Sequence, residues 1–301
     1  MFESLSRSTG SVSVVIPTYF RNDRLRTAID SARAQDPPPY EVIVVDGSGE
    51  AHAEPVARET GVTYVAQAED RGAQAARDAG AKRAGGEYVQ FLDDDDRLLP
   101  GKFRKQLPLF DDGVGVVYSG IRDEEWGEIL PDEAVRGNVV ERALALNTFP
   151  CIPSTMLLER EVVESLRPLR HRHGADDSGM KIELALRTKF DYVDAPLVER
   201  GKPPETLSSS WDHVEGRKRI IATYAELYAR APDAVRERAL QGTYHREGKK
   251  HLEERPWSPG AVRSFARAAA HEPDEPVREL GICLGSLFGR PGVRAAEAVL
   301  P

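Results

Sequence analysis

The chain has 301 residues, with 41 Lys and Arg against 49 Asp and Glu, and therefore a formal net charge of −8. Hydrophobic residues make up 40% of the chain and charged residues 30%, which is typical of soluble globular proteins and argues against disorder, collagen-like repeats or a disulfide scaffold. The negative balance argues against a general nucleic-acid binder, which needs a basic surface. The spacing of Cys151 and Cys283 suits neither a metal site nor a redox pair, and indicates a reducing, cytoplasmic compartment.

Residues 1–10 are polar and lack the apolar core of a signal peptide, so we expect a flexible N-terminus. The longest apolar run, Leu280–Phe288, has about half the length of a membrane-spanning helix and is flanked by Arg278 and Arg290. It is interpreted either as a buried element or as a surface anchor that dips into a bilayer. The sequence therefore predicts a soluble protein, or a peripheral one at the cytoplasmic face of a membrane.

The first 120 residues alternate between two patterns. Short β-branched or aromatic runs predict strands, and segments with apolar spacing near 3.6 predict helices between them. Such alternation is typical of parallel βαβ units with helices on both faces of a sheet. The predicted strands are Val12–Pro17, Glu41–Asp46, Val62–Ala66 and Tyr88–Leu92, and the predicted helices are Asp23–Ala34, Ala51–Glu59 and Ala73–Arg83.

The rest of the chain changes character twice. Residues 114–200 read as a mixture of strands and helices, and the segment after Pro203 and Pro204 reads as helical. We therefore predict an α/β domain over residues 11–203 and a C-terminal helical region over residues 204–301. The predicted strands are Val114–Tyr118, Thr155–Leu158 and Phe190–Val193, and the predicted helices are Val139–Leu146, Met180–Arg187, Glu215–Arg230, Ala234–Glu247 and Ala261–Ala270.

Polar or acidic residues follow three of the predicted parallel strands. The first strand runs into Pro17-Thr18-Tyr19, the second ends at Asp46-Gly47-Ser48, and the fourth ends at the run Asp93–Asp96. In an open parallel sheet, ligands bind beyond the carboxyl ends of the strands. These three ends together predict a binding site at one edge of the sheet.

The four consecutive aspartates favour a cation. Packed at a strand end, their carboxylates raise one another's pKa, and a divalent ion removes that repulsion. Asp93 and Asp95 are two residues apart, can turn to one side, and have the hard oxygens that Mg²⁺ or Mn²⁺ prefers. The alternative is a solvated acidic turn that caps the helix predicted from Gly101 onward.

Four sequence blocks in this order resemble family 2 glycosyltransferases. They are VSVVIPTYFRNDRLRTAIDSARAQ, EVIVVDGS, RGAQAARDAGAKRAGGEYVQFLDDDDRLLPGKFRKQ and the later ADDSG…FDYVDAPLVERG, within residues 11–200. The resemblance implies a GT-A (Rossmann-like) three-layer α/β/α fold with a mostly parallel central sheet. It further implies an inverting enzyme that transfers a sugar from a nucleotide-diphosphate sugar, UDP- or GDP-linked, with Mg²⁺ or Mn²⁺ as cofactor.

The resemblance also implies roles for individual residues on the donor side. The segment after the first strand would line the nucleoside pocket, the end of the second strand would contact the base or ribose, and the DXD element would hold the metal and diphosphate. A basic residue before the third helix would meet the phosphates. The residues concerned are Pro17, Thr18 and Tyr19, then Asp46, then Asp93, Asp94 and Asp95, and finally Arg71.

Asp177 is the catalytic base that the resemblance implies, with Asp176 as the second candidate. A neighbouring carboxylate raises the pKa of its partner, which would make a better base. The alternative role of this pair is to cap the helix that follows. His213 is a candidate third metal ligand or a residue that closes over the donor, and the alternative is a surface histidine.

Departures from the family pattern leave a second reading open. One Asp of the usual Asp-Asp-Gly-Ser is missing at Asp46, and the usual Glu-Asp pair is Asp176-Asp177. The Q-x-x-R-W element of processive synthases is absent, which favours single addition. We expect one sugar to be transferred to a hydroxyl or phosphate acceptor, a glycan or a lipid-linked glycan, with peripheral membrane contact through the C-terminal segment. The alternative is a nucleotide- or metal-binding module of the same fold without catalysis.

Overall fold

A computed structural model of the chain describes residues 10–170, 174–201 and 210–299. The predicted flexible N-terminus, apart from Gly10, lies outside these residues. The chain forms two compact units. The first comprises Met1–Val139, Thr148–His171 and Glu183–Pro204, and the second comprises Val140–Asn147, Arg172–Ile182 and Glu205–Pro301. The predicted domain boundary near residue 203 stays a prediction. Two segments before that boundary, Val140–Asn147 and Arg172–Ile182, belong to the second unit.

One mixed sheet forms the first unit. Its strand order is β3-β2-β1-β4-β8-β6-β9-β5, and β7 pairs with β6. The neighbours β3, β2, β1 and β4 are parallel, as is the pair of β6 and β9, whereas β8, β5 and β7 pair antiparallel. The strands are β1 Val12–Thr18, β2 Glu41–Asp46, β3 Thr63–Ala66, β4 Tyr88–Phe91, β5 Arg97–Leu98, β6 Val114–Asp123, β7 Gly127–Ile129, β8 Leu157–Glu159 and β9 Lys189–Glu199.

The helices fall into both units. The first unit holds α1 Asn22–Arg33, α2 Glu54–Thr60, α3 Gly72–Arg83, α4 Lys102–Gln106 and α6 Arg160–Leu166. The second holds α5 Val140–Leu144, α8 Trp211–Thr223, α9 Ala225–Tyr228, α10 Asp233–Glu254, α11 Pro259–Ala270, α12 Pro276–Ser286 and α13 Gly289–Val299, while α7 Asp176–Ala185 begins there.

Helices cover both faces of the parallel strands. Val14 and Ile16 belong to the core cluster that includes Leu25 and Ile29 of α1. Side chains alternate along a strand, so Val15 points to the opposite face, where it meets Gly80 of α3. A Cβ at Gly80 would collide with Val15, and this explains why glycine sits inside the helix. The predicted α/β class with three layers is confirmed here, and burial on both faces explains the near-continuous apolar strands.

The second unit is helical, and α10, α11, α12 and α13 pack each on the next. Leu252, Phe265, Ile282 and Val293 form its core, and Gly248 gives the Phe265 ring room to approach α10. The prediction of one helix over Glu215–Arg230 is wrong, because the chain breaks at Tyr224 into α8 and α9.

The apolar run at Leu280–Phe288 forms most of α12 and the turn after it. Interpretation of the whole run as a buried element is wrong, because only one face of the helix is buried. Ile282 lies in the core, while Leu280, Leu284, Leu287 and Phe288 are exposed. No helix within the described ranges is both long enough and apolar enough to cross a membrane.

Candidate functional site

The carboxyl ends of β1, β2 and β4 lie side by side. In the parallel register, Thr18 at the end of β1 is the partner of Asp46 at the end of β2. On the other side of β1, Val15 is the partner of Phe91, so β4 leads directly into the acidic loop. β1 therefore separates β2 and β3 from β4, which makes its end a point where the strand order reverses. Open α/β sheets bind ligands at such points.

The acidic loop is attached to the end of β1 through Asp94. Thr18 Oγ1 donates a hydrogen bond of 2.8 Å to Asp94 Oδ2, and Arg21 Nη1 donates one of 3.1 Å to Oδ1. Burial raises the pKa of Asp94, whereas Thr18 and Arg21 act in the opposite direction. Both oxygens of Asp94 thus have partners within the protein. Its predicted contact with the donor stays a prediction.

Asp93 and Asp95 are the more accessible pair of the loop, with 35% and 12% of their side chains exposed. Asp93 Oδ1 lies 2.6 Å from Arg77 Nη2. Asp95 Oδ2 lies 3.6 Å from Arg21 and 3.9 Å from Arg24. Burial and, after it, the adjacent carboxylates Asp93 and Asp94 raise the pKa of Asp95 to about 6, although Arg21 acts in the opposite direction. Arginines therefore offset only part of the repulsion, and a cation would relieve more.

These two carboxylates fit a divalent ion that the substrate helps to hold. Among the described residues, no three His, Cys, Asp or Glu side chains form a complete protein cage for a metal. Mg²⁺ commonly takes one or two carboxylates and completes its shell with water and substrate phosphates. Asp93 and Asp95 supply carboxylate oxygens of that kind and number, which supports their role as metal ligands. That role stays a prediction.

Asp96 supports the loop from inside. It is buried, and its Oδ1 accepts a hydrogen bond of 2.9 Å from the Gly201 N–H. Burial and, after it, the charges of Asp93 and Asp95 raise the pKa of Asp96 to about 8, although hydrogen bonds from Ser154 and Gly201 act in the opposite direction. At neutral pH the carboxyl is therefore mostly protonated and carries no charge into the interior. The last aspartate of the run is a structural residue.

Asp46 holds the loop that follows β2. Its carboxylate accepts hydrogen bonds from the Ser48 N–H (2.9 Å), the Ala53 N–H (2.7 Å) and the Tyr64 hydroxyl (2.9 Å). Burial acts to raise the pKa of Asp46, but these hydrogen bonds outweigh it and lower the pKa. Asp46 thus shapes this loop as an ionised group, and its contact with base or ribose stays a prediction.

Buried polar atoms without partners among the described residues lie around the end of β1, and two of them belong to His52 and Gln67. The structure gives no hydrogen-bond partner to His52 Nδ1 or Gln67 Oε1 within its described residues. The His52 ring lies 4.9 Å from that of Phe20, and Gln67 Oε1 lies 3.6 Å from an ideal Cβ at Gly47. Buried polar atoms are almost always hydrogen-bonded, so unpaired ones point to a missing ligand or water. The sequence analysis missed both residues.

The remaining donor-side predictions differ in exposure. Pro17 is buried within β1, opposite Val45 of β2, whereas half of Tyr19 is exposed and its ring meets Phe20 edge to face. Arg71 is exposed at the residue before α3. Their assignment to the nucleotide stays a prediction.

Arg21, Arg24 and Arg77 are the cations that lie against the acidic loop, and the sequence analysis named none of them. Arg21 and Arg24 flank the start of α1, immediately after the Pro17-Thr18-Tyr19 segment. Arg77 lies in the second turn of α3 and is buried. A basic residue just after the end of β1, or in the first two turns of a helix that follows a parallel strand, is the signal that would have found them.

Asp176 and Asp177 form the first turn of α7. Asp177 Oδ2 lies 3.3 Å from Lys181 Nζ, one turn further along. Burial acts to raise the pKa of Asp177, but Lys181, His213 and the Ser178 N–H outweigh it and hold the pKa at about 2. The expectation of a raised pKa for the base is therefore wrong for Asp177, because the adjacent cation dominates. The assignment of either residue as the base stays a prediction.

His213 is buried in α8, so its interpretation as a surface histidine is wrong. Its Nδ1 lies 2.7 Å from the Gly174 carbonyl oxygen, which accepts a hydrogen bond from the ring in the matching tautomer. Burial lowers the pKa of His213 despite that carbonyl, so the ring is mostly neutral at pH 7. A neutral ring whose Nδ1–H is used keeps Nε2 as its free lone pair. Its role as a metal ligand stays a prediction.

A family model described as "Glycosyl transferase family 2" matches residues 13–167, just over half of the chain. The chain belongs to glycosyl transferase family 2. A relative from Campylobacter jejuni, GalNAc(5)-diNAcBac-PP-undecaprenol beta-1,3-glucosyltransferase, is 29% identical over 132 residues, which cover 42% of this chain and 43% of that protein. The chain spans only 25–43% of the length of this and three other curated relatives.

Solved structures of two proteins share the fold. S. aureus TarS 1-349 in complex with UDP-GlcNAc has a TM-score of 0.62 at 19% identity, covering 96% of this chain and 90% of that one. A mannosyltransferase from Pyrobaculum calidifontis, in complex with GDP-Man and Mn²⁺, has a TM-score of 0.57 at 22% identity, covering 96% and 83%. At such identities the likeness concerns the fold alone, and it confirms the predicted GT-A type.

The raised pKa of Asp96 predicts a pH dependence of stability. The folded state keeps a proton that the unfolded state loses between the ordinary carboxyl pKa of 3.8 and about 8. Stability contributed by this group is therefore fully present below pH 3.8 and is lost as the pH rises through that window, by up to about 1.4 kcal/mol per pH unit.

Asp96→Asn keeps the hydrogen bonds without titrating, so its unfolding free energy should fall less than that of the wild type from pH 5 to pH 8 in urea titrations. Asp112→Asn, at an exposed position, should follow the wild type; an identical pH slope for Asp96→Asn contradicts the assignment.

Proposed function

We propose that the chain is an inverting, metal-dependent glycosyltransferase that moves a single sugar from a nucleotide-diphosphate sugar to a hydroxyl or phosphate acceptor. The hydrogen bond between Thr18 and Asp94 carries this proposal, because it keeps the acidic loop at the carboxyl end of β1. Membership of family 2 supports the same reaction class.

The charges and unpaired atoms at this edge suit a nucleotide diphosphate. Arg21, Arg24 and Arg77 bring positive charge to the acidic loop, where phosphates need it. His52 Nδ1 and Gln67 Oε1 are buried polar atoms available to a nucleoside. The donors in the two similar structures are UDP-GlcNAc and GDP-Man, so we propose a UDP- or GDP-linked sugar.

Asp93 and Asp95 are the residues that would hold Mg²⁺ or Mn²⁺, with water and substrate phosphates completing the shell. When bound, the ion would neutralise charge that develops on the departing diphosphate. The protein contributes to the same end, since fixed arginine charges stabilise developing negative charge without reorganising. Mn²⁺ in the similar mannosyltransferase supports this choice of ion.

Asp177 is the proposed general base, and Asp176 the second candidate. The acceptor oxygen would attack the anomeric carbon from the face opposite the diphosphate, which leaves with the electron pair of the broken C–O bond. Asp177 would take the acceptor proton, and attack from the opposite face inverts the anomeric configuration. Its low pKa keeps it ionised at neutral pH, ready to accept a proton but only weakly basic.

The acceptor that we propose is a glycan, either free or linked to a lipid. The name of the Campylobacter jejuni relative describes a glucosyltransferase that acts on an undecaprenol-linked glycan. Peripheral contact with the cytoplasmic face of a membrane would fit such an acceptor.

An exposed apolar face of the second unit supports that contact. Leu280, Leu284 and Leu287 follow a spacing of four and three residues and lie on one face of the helix, with Phe288 79% exposed beside them. The exposed Arg294 on α13 adds positive charge for anionic headgroups. We propose that this face, Leu280–Phe288, rests on an anionic bilayer.

Metal-linked binding of a nucleotide tests the donor site. Titration calorimetry with UDP- and GDP-linked sugars should detect binding of at least one that strengthens when Mn²⁺ is added. Asp95→Asn should weaken that binding at least tenfold, about 1.4 kcal/mol, because it removes a proposed metal ligand. Asp112→Asn, a matched change at an exposed site, should bind as the wild type does. Metal-independent binding, or no binding of any nucleotide sugar, contradicts the proposal.

Removal of the base should separate turnover from binding. We expect Asp177→Asn to lower kcat by about 10²–10⁴-fold, the usual contribution of a general base, while donor affinity stays within twofold. NMR of the wild-type product should show the anomeric configuration inverted relative to the donor. Unchanged turnover in Asp177→Asn, with a loss in Asp176→Asn, moves the base to Asp176. No turnover with any acceptor despite donor binding favours the inactive-module alternative.

Liposome co-sedimentation tests the membrane face. The wild type should bind vesicles that contain phosphatidylglycerol more strongly than vesicles of phosphatidylcholine alone. The combined change Leu284→Ser and Phe288→Ser should abolish most of that binding because it removes exposed apolar area. Tyr40→Ser, at another exposed aromatic, is the control. If the wild type does not sediment with vesicles, the membrane contact is refuted. A dimer in light scattering that the double change dissociates would show that a second copy covers this face.

A further inference from the structure

An aromatic pair on the first unit has no part in the site described above. The side chains of Trp126 and Phe149 are 58% and 41% exposed, and their ring centroids lie 6.4 Å apart at an interplanar angle of 83°. The Arg200 guanidinium lies over the Trp126 ring, 5.7 Å from its centroid. Exposed tryptophan is costly to keep in water, so a cluster of this kind marks a contact surface.

The backbone holds Trp126 in place. It follows β6, where the Asp123 carboxylate accepts hydrogen bonds from the N–H groups of Glu125 (2.9 Å) and Trp126 (3.1 Å). The same carboxylate lies 3.4 Å from Arg200 Nη1, which ties the turn to the end of β9. Gly127 has a φ of +75°, a conformation that lets the chain turn directly into β7. Hydrogen bonds therefore fix the turn that carries the indole, so binding a ligand there costs little conformational entropy.

The aromatic pair is connected to the acidic loop through Arg200 and Gly201. Arg200 is followed by Gly201, whose N–H donates to Asp96 Oδ1 at 2.9 Å. A Cβ at Gly201 would collide with the Asp95 carbonyl oxygen, so the backbone there packs directly against the loop. Through two adjacent residues, the aromatic pair is thus connected to the segment that would hold the metal and diphosphate.

We infer that Trp126 and Phe149 form a platform for a pyranose ring of the acceptor glycan, with the Arg200 guanidinium, which lies over the indole ring, as a hydrogen-bond donor beside the sugar. This inference rests on the proposed function. A pyranose has an apolar C–H face and a rim of hydroxyl groups. The indole matches both, because its ring face is apolar and its edge carries an N–H donor. Sites for small ligands combine aromatic walls with a few well-placed polar groups, as this one does.

The surroundings favour a neutral sugar over other occupants. Glu128 is paired with Arg122 at 2.9 Å, but Glu124 and Glu125 are also exposed on the same hairpin and leave it with a negative balance that disfavours phosphates and nucleic acids. The exposed aromatic surface belongs to two residues, whereas a stable protein interface needs about 20 to 30 residues on each side. One sugar ring matches the size of the pair.

Indole NMR of the full chain tests the platform. The chain has three tryptophans, so ¹⁵N-indole labelling gives three N–H signals, and Trp126→Phe identifies one of them. The probes are the α- and β-methyl glycosides of glucose, galactose, mannose, N-acetylglucosamine and N-acetylgalactosamine. We expect at least one to shift the Trp126 signal with a millimolar Kd, while the signals of Trp211 and Trp257 stay in place.

The variants separate this platform from the donor site. Trp126→Ala should weaken glycoside binding at least tenfold and leave the thermal shift produced by the nucleotide sugar and Mn²⁺ unchanged. Tyr40→Ala, a matched change of an exposed aromatic on the same unit, should affect neither. If no glycoside moves the Trp126 signal up to about 50 mM, the range of weak sugar sites, while the nucleotide sugar binds, the platform is refuted. If glycosides bind at Trp126 and no nucleotide sugar binds, the proposed function fails and the platform stands.

Discussion

The hydrogen bond from Thr18 to the buried carboxylate of Asp94 joins the end of β1 to the loop after β4, and the arrangement of the first unit depends on it. Four adjacent carboxylates repel one another, and the protein divides them among different tasks. Asp94 is attached to β1 and Arg21, while Asp96 is buried beneath Gly201 with a raised pKa. Asp93 and Asp95 remain as the accessible pair. This division of roles leaves two metal-type ligands at the place where the strand order reverses.

Much of this edge could be predicted from the sequence. β-branched runs alternating with helical spacing predict the parallel strands, and the carboxyl ends of parallel strands meet by geometry. Thr18, Asp46 and the acidic run were therefore placed together correctly. The helix end at Tyr224 and the antiparallel strands β5 and β7 left no such signal, because they are two to four residues long or depend on tertiary pairing.

Charge compensation was the part that sequence patterns could not reveal. The aspartates Asp46, Asp93 to Asp96, Asp176 and Asp177 supply seven of the negative charges in a net balance of −8. Along the chain, this surplus predicts a cation. In space, arginines lie against three of these aspartates and Lys181 against a fourth, and hydrogen bonds stabilise the charge of Asp46. Asp95 is still accessible, and burial together with its neighbouring carboxylates raises its pKa. The predicted cation site thus narrows from the run of four aspartates to Asp95 together with Asp93.

The central claim is that Asp95, together with Asp93, receives a divalent ion only as part of a nucleotide complex. Anomalous X-ray scattering from crystals grown with Mn²⁺ and the nucleotide diphosphate that binds in solution tests it most directly. We expect one manganese peak bonded to a carboxylate oxygen of Asp95 or Asp93 and to phosphate oxygens, and loss of that peak in Asp95→Asn. A manganese peak bound elsewhere, with the nucleotide ordered and the acidic loop free of metal, would contradict it.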